Sequence, residues 1–231
     1  HDTAISHGLR PQSDSLPAID KFVLIGDHKQ LPAVVQQNAA QAAVNHPQLN
    51  AIGITDCRQS LFERLIHWER SQGRTRFIGT LNRQGRMHPH IARFPNEMFY
   101  AHERLDVVPC PHQEEQQLGY NPPSQDTLDD QLKAHRLLFF AAENNENESP
   151  SDKANPAEAR IVARILGRIH RFYGNAFDAN RTVGVIVPYR NQIAMIRREL
   201  QKLGIAELNN ITIDTVERYQ GSQRDVIVYS F

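Results

Sequence analysis

Five consecutive apolar residues, Val183–Val187 (VGVIV), stop at Pro188 and give way to Tyr189, Arg190 and Asn191, after which Ile193, Ile196, Leu200 and Leu203 recur at helical spacing. A strand that is apolar on both faces needs both faces covered, as in a parallel sheet sandwiched between helices. The same grammar recurs along the chain. Lys21–Ile25 (KFVLI) reads as a short buried strand ended by Gly26 and Asp27, Arg76–Gly79 as a brief strand, and Arg136–Ala142 (RLLFFAA), Ile211–Ile213 and Val226–Tyr229 as later ones. Helical patterns lie between them, over Asn38–Val44, Arg58–Trp68 (Leu61, Phe62, Leu65 and Ile66 inward) and from Pro89. Strand, loop and helix in alternation predict an α/β fold with a largely parallel sheet. Ligands of such sheets gather at the carboxyl ends of the strands.

The best-marked helix opens at Asn155, with Pro156 at its first position and Glu158 three residues beyond the cap. Ile161, Ile165, Ile169 and Phe172 form its core stripe, and Arg160, Arg164, Arg168 and Arg171 line a flank about 100° away, predicted to be solvated. Pro89 is suited to a helix start, with Ile91, Phe94, Met98 and Phe99 inward, whereas Pro95 is expected to bend or break that helix. Residues 1–20 read as a polar linker, 101–131 as an exposed insertion or surface connection of little periodicity, and 143–154 as a solvated acidic loop.

Charge and cysteine content narrow the classes. The 231 residues carry a formal net charge of +0, so a polyanion would be held by a local patch and not by the overall field. Acids dominate from Gln113 to Glu148 and bases from Glu158 to Lys202, which directs an anionic ligand to the second stretch. Cys57 and Cys110 form neither a disulfide framework nor a zinc motif, there is no His-Glu-x-x-His, and no metal site is expected within the chain. No run approaches the roughly 20 apolar residues of a membrane span, so no membrane partner is expected. A reducing interior is the expected setting, cytoplasmic or, in a eukaryote, nuclear. Opening on His1 and closing on Phe231 directly after a strand-like run, the chain is expected to be a piece of something longer.

Four polar loops border these elements: Gly26–Pro32 (GDHKQLP), Gln84–Pro89, Pro188–Gln192 and Asp214–Asp225. They concentrate Gln, Arg, Thr, Asp and Gly, residue types that hold phosphates and orient water. A neutral Gln such as Gln30 can donate to a phosphate oxygen while accepting from a water. Arg86, held beside a helix start, can grip a phosphate and spread charge over a transferring phosphoryl group.

Taken together, GDHKQLP at Gly26–Pro32, RQGRMHPHIARFPNEMFY at Arg83–Tyr100, VGVIVPYRNQ at Val183–Gln192 and DTVERYQGSQRDVIVYS at Asp214–Ser230 resemble successive motifs of superfamily 1 helicases. The branch resembled contains the nonsense-mediated-decay helicase and its DNA-helicase relatives. The resemblance runs from about Lys21 to Phe231, leaving the acidic insertion unmatched. It implies a RecA-like α/β fold of the P-loop NTPase type, a parallel sheet flanked by helices, truncated at both ends. Residues 1–80 would be the C-terminal remnant of a first RecA-like domain, and 81–231 a second one with a surface insertion at 101–155.

By the same resemblance, Gln30 is similar to the residue that senses the γ-phosphate and Arg86 to an arginine finger offered to ATP on the first domain. Asp27, Gln84 and Gln223 would stand in the nucleotide site. Pro188, Tyr189, Arg190, Thr215 and Gln220 would border a channel for single-stranded DNA or RNA, with Gly221 in the turn that follows. A phosphate-only grip gives affinity without sequence readout. Three departures bear on this: Gly85 stands where relatives often carry an aromatic ring, Val187 where many have Thr, and Gln223 where Glu is frequent. No Gly-x-x-x-x-Gly-Lys-Ser/Thr and no Asp-Glu pair occurs, so most of the ATP and Mg²⁺ contacts would come from the first domain of a longer parent. The expectation is an ATP-dependent helicase, acting on DNA first and inactive as this piece alone. The alternative is a catalytically silent RecA-like binding or regulatory module.

Overall fold

A computed structural model describes residues 21–32, 34–142 and 153–231. The expected linker over 1–20 and the 143–152 part of the acidic loop lie outside these described residues. The chain divides into two compact units, one made of the described residues up to Arg83 with Pro95–Asp106, the other of Gln84–Phe94 with Val107–Phe231.

In the first unit, α1 (Ala39–Ala42) opens with Asn38 and Gln41 capping one another, and α2 (Pro47–Asn50) starts on a proline. The amphipathic α3 (Leu61–Ser71) begins three residues later than its periodicity suggests. Ser60 accepts the Glu63 N–H at 3.1 Å and sets the start, while Arg58 is held outside the helix by Asp56 at 2.6 Å. Two predicted strands do not form here. Lys21–Ile25 has no strand partner among the described residues, and Val23 and Ile25 are 76% and 89% exposed. Thr75–Phe77 is a 3-10 turn. An apolar run becomes a strand only where a neighbour takes its backbone donors and acceptors.

The chain then forms β1 (Arg83–Gln84), α4 (Pro89–Met98) and β2 (Asp106–Val107), with β1 and β2 paired. Pro95 does not break α4. It lacks one backbone donor, but its own carbonyl accepts from both Phe99 (2.9 Å) and Tyr100 (3.2 Å) and closes the helix normally.

Within the second unit follow α5 (Pro111–Glu114), α6 (Thr127–Ala134), α7 (Pro156–Tyr173), β3 (Val183–Ile186), α8 (Arg190–Leu203), β4 (Thr212–Asp214), α9 (Val216–Tyr219) and β5 (Val226–Tyr229). The sheet runs β4-β3-β5, all parallel, with Ile186 opposite both Asp214 and Tyr229. Val183 and Val185 of the central strand, and Val187 just beyond it, are fully buried; the outer β5 alternates half-buried and exposed. On the other face of β3 Gly184 is buried and Ile186 half-buried, which is why β3 reads as an unbroken apolar run. Val162, Leu166 and Ile169 of α7 and Ile196 and Leu200 of α8 complete the core. Asn155 caps α7 by accepting the Glu158 N–H at 3.0 Å, as its sequence predicts. Arg136–Ala142 forms no strand: Leu137 and Phe139 are exposed, and Phe140 alone of that aromatic pair reaches the core.

The expected unperiodic insertion over 101–131 contains packed structure. Asp126 caps α6 by accepting the Asp129 N–H at 3.1 Å, and Leu132 packs on the core. The arginine flank of α7 is likewise not simply solvated. Asp126 holds Arg164 at 3.0 Å and Arg168 at 2.8 Å, and the fully buried carboxylate of Asp129 binds Arg171. Part of the positive charge of the second stretch is therefore neutralised within the fold and unavailable to a ligand.

Gly184 makes room for a ring. Tyr219 lies over it, with its hydroxyl donating to the Thr212 carbonyl at 2.6 Å, and a Cβ on Gly184 would stand 2.8 Å from the Tyr219 ring. Gly184→Ala should destabilise this unit by about 2 kcal/mol, as overpacking does. An unchanged denaturation midpoint would mean that the ring shifts freely.

Candidate functional site

Arg86 stands on a loop braced from within. The Gln84 side chain accepts the N–H groups of Arg86 (2.9 Å) and Met87 (2.7 Å), and its amide donates to the Met87 carbonyl (2.8 Å). Both ends of that amide are engaged in the loop, so the Gln84 side chain holds the backbone on which Arg86 stands. The Arg86 guanidinium is exposed and makes no hydrogen bond or ion pair among the described residues. An unpartnered guanidinium on a fixed backbone is ready for a bidentate anion.

Three groups that sequence reading missed support this loop. Gln113 of α5, 2% exposed, donates to the carbonyls of Gln84 (2.9 Å) and Met87 (3.0 Å). His112 Nε2 meets the Gly85 carbonyl at 3.0 Å, and His88 Nε2 meets the Glu115 carbonyl at 3.2 Å. Burial, with Arg136 and His90 nearby, holds His88 below its usual range. Gly85 carries no ring, although a Cβ there would make only ordinary contacts with Cys110 and Val108. The one available signal was Pro111 after Cys110, a helix start inside a stretch read as irregular.

Gln30 and Asp27 belong to the first unit. The Gln30 amide donates to Asp27 at 2.9 Å, and the Tyr100 hydroxyl donates to the same carboxylate at 2.5 Å. Burial opposes the charge on Asp27, but the hydrogen bonds from Tyr100, the Lys29 N–H and Gln30 outweigh it and hold the carboxyl below its usual range. Tyr100 is pushed up to about 12 by its own burial and by Asp27. Lys29 closes the loop on Glu103 at 2.6 Å and on the Phe99 carbonyl at 2.7 Å. The FPNEMFY end of the long motif therefore serves as the mount for the GDHKQLP loop.

At the carboxyl ends of β3 and β4, Pro188, Tyr189 and Arg190 stand beside Thr215, because Val187 N–H bonds the Asp214 carbonyl at 3.0 Å and continues the ladder. Tyr189 precedes α8, is 44% exposed and has Lys153 over its ring; Arg190 is the first residue of the helix. Tyr189, Arg190 and Thr215 thus follow the carboxyl ends of two neighbouring strands.

Gln223 is not brought there. From Thr215, α9 runs back along the sheet to Tyr219, and after the turn at Gly221 (φ 84°) Arg224 reaches Thr212 Oγ1 at 3.2 Å, at the strand's amino end. Gln220 closes α9 and is exposed, between the two ends. Among the described residues no three His, Cys, Asp or Glu side chains gather to hold a metal ion, and no helix is long and apolar enough to cross a membrane.

Residues 57–231 match the family described as AAA domain. The chain is 29% identical over 216 residues to a Regulator of nonsense transcripts 1 homolog of Neurospora crassa (91% of this chain, 17% of the relative). It is 28% identical over 213 residues to Helicase sen1 of Schizosaccharomyces pombe (91% and 11%). It is also 28% identical over 223 residues to the DNA replication ATP-dependent helicase/nuclease DNA2 of Xenopus laevis (92% and 19%). The chain thus spans less than a fifth of the length of these relatives. With the parallel β4-β3-β5 sheet packed against α7 and α8 and the ordered motifs around it, the chain belongs to the AAA-domain family, within the superfamily 1 helicases, and has their RecA-like α/β fold.

Proposed function

We propose that the chain is the C-terminal portion of an ATP-dependent helicase that couples ATP hydrolysis to translocation on single strands. In this reading 1–80 completes a first RecA-like domain and 81–231 forms most of a second, within an intracellular protein. The exposed Arg86, unpartnered among the described residues and set on a braced loop, carries the proposal. It acts on ATP as an electrostatic clamp for charge developing on the γ-phosphate. Gln30, fixed through Asp27 and Tyr100, orients water or phosphate, and Gln84 shapes the Arg86 loop. Tyr189, Arg190 and Thr215 hold the strand by stacking and by its phosphates, with Pro188 and Gln220 at the borders of the same channel. Gln223 is left as a weak nucleotide contact, given its place near the opposite end of the sheet. Mg²⁺ would be bound by carboxylates of the longer protein, where it shields the phosphate charge.

This 231-residue chain alone is expected to turn over no ATP, and the longer protein to be stimulated by single strands. Assaying both with single-stranded DNA and with RNA of matched sequence tests the reading, DNA being the strand proposed. Turnover by the isolated chain, lost in Arg86→Ala, would place a complete ATP site within it and overturn the proposal. Gly85 and the position of Gln223 favour a second reading, a RecA-like module without catalysis. An unstimulated, inactive longer protein would select it.

A further inference from the structure

The turn Cys110–Glu115 has no role in any motif, yet it touches the Arg86 loop at three carbonyls that flank Arg86. Gln113 is its centre: a buried amide whose nitrogen spans the carbonyls of Gln84 and Met87, on either side of Arg86, at 2.9 and 3.0 Å. Its oxygen accepts the Cys110 N–H at 3.3 Å, which fixes the amide's orientation. His112 takes the Gly85 carbonyl between those two, and the Glu115 carbonyl meets the His88 ring just beyond. The carbonyls of Gln84, Gly85 and Met87 are thereby all engaged by the turn. The N–H groups of Arg86 and Met87 are held by the Gln84 side chain, which also donates to the Met87 carbonyl at 2.8 Å. Five successive residues have little freedom left, although Arg86 itself projects into solvent.

We propose that this turn is a positioning clamp for Arg86, with Gln113 as the principal positioning residue and His112 as its second point of contact. The inference rests on the reading of Arg86 as the group that meets the nucleotide. A loop held only by its own Gln84 could form the same turn but would sample several directions for the guanidinium. A displacement of about 1 Å costs on the order of 10²-fold in rate where geometry is exacting. Tying three carbonyls to a buried amide and a ring removes that freedom before substrate binds.

Gln113→Met keeps the volume of the side chain and removes both donors. In the longer helicase it is expected to lower kcat by about 10²-fold with KM for ATP within about twofold, because orientation acts on the transition state and not on ground-state binding. In an Arg86→Ala background the same change should have almost no effect, since a clamp without its guanidinium has nothing left to position. Hydrogen exchange of the Arg86 and Met87 amides should accelerate in Gln113→Met whether or not ATP is hydrolysed. His112→Ala, an exposed change that leaves the fold intact, should lower kcat by about 2- to 10-fold, the equivalent of one ordinary hydrogen bond. Unchanged exchange in Gln113→Met overturns the clamp whatever Arg86 does. Equal losses in the wild-type and Arg86→Ala backgrounds would also overturn it, by showing general loosening. Wild-type turnover in Arg86→Ala would instead sink the reading of Arg86 and the catalytic consequence drawn here, and it is told apart because exchange would still report the clamp.

Discussion

Arg86→Ala in the longer helicase is expected to reduce ATP turnover by about 10³- to 10⁵-fold, the range an arginine contributes to nucleotide hydrolysis when it faces the transferring phosphate. The guanidinium has no bond to lose among the described residues, and Arg86 is exposed, so stability should change by no more than about 0.5 kcal/mol. That separation is the diagnostic. A structural arginine would lose stability and activity together. Arg86→Lys should recover only a small part of the rate, because an ammonium keeps the charge but not the planar fork. Steady-state turnover beside thermal denaturation decides the matter, and turnover within tenfold of wild type would remove Arg86 from the mechanism.

The second large effect concerns stability. Asp129→Ala is expected to cost the second unit about 3 kcal/mol, at the lower end of the range for breaking a buried ion pair because Arg168 and Arg171 keep some access to water. The fully buried carboxylate also accepts the Gln125 N–H at 2.7 Å. Burial pushes Asp129 up, but that N–H, Arg171 and Arg168 outweigh it and hold the carboxyl below its usual range. A carboxyl depressed in the folded state contributes its stability above its unfolded value of about 4 and loses it as pH falls through the lower folded value. The difference in stability between wild type and Asp129→Asn should accordingly be full at pH 7 and shrink below about pH 4. A difference that stays constant from pH 7 to pH 2 would show that packing, and not the charge, is what the side chain provides.

What could be read from the residues was local. The capped start of α7, the apolar stripe of α8 as far as Leu200 and the continuous run of β3 are each specified within a few residues, and the structure contains them as expected, whereas Leu203 at the end of α8 is exposed. The α6 cap was also present in the chain, as Asp126 three residues before Asp129, but the polar composition around it concealed a helix that carries one of the fold's buried charges. Lys21–Ile25 and Arg136–Ala142 have the composition of strands and are not strands, since a strand is defined by the neighbour that pairs with it.

The candidate site divides in the same way. Order and content of motifs were enough to select Arg86, Gln30, Tyr189, Arg190 and Thr215 as candidates. Where these side chains stand, and what holds them, depended on segments distant in sequence. Tyr100 reaches Asp27 across 73 residues and Gln113 reaches Gln84 across 29, while Arg171 and Asp129 are 42 apart. No local period records such pairings.

By itself the sequence determined the α/β alternation, the helix caps of α7, the family and the residues with chemistry to offer. Only the tertiary structure decided that the arginine row of α7 is largely bound by acids, that Gln84 serves its own loop, that Gln223 lies toward the far end of the sheet and that α5 braces Arg86. Periodicity and caps are set by energies within a few residues, whereas a buried amide or carboxylate takes whichever donors the fold brings within about 3 Å.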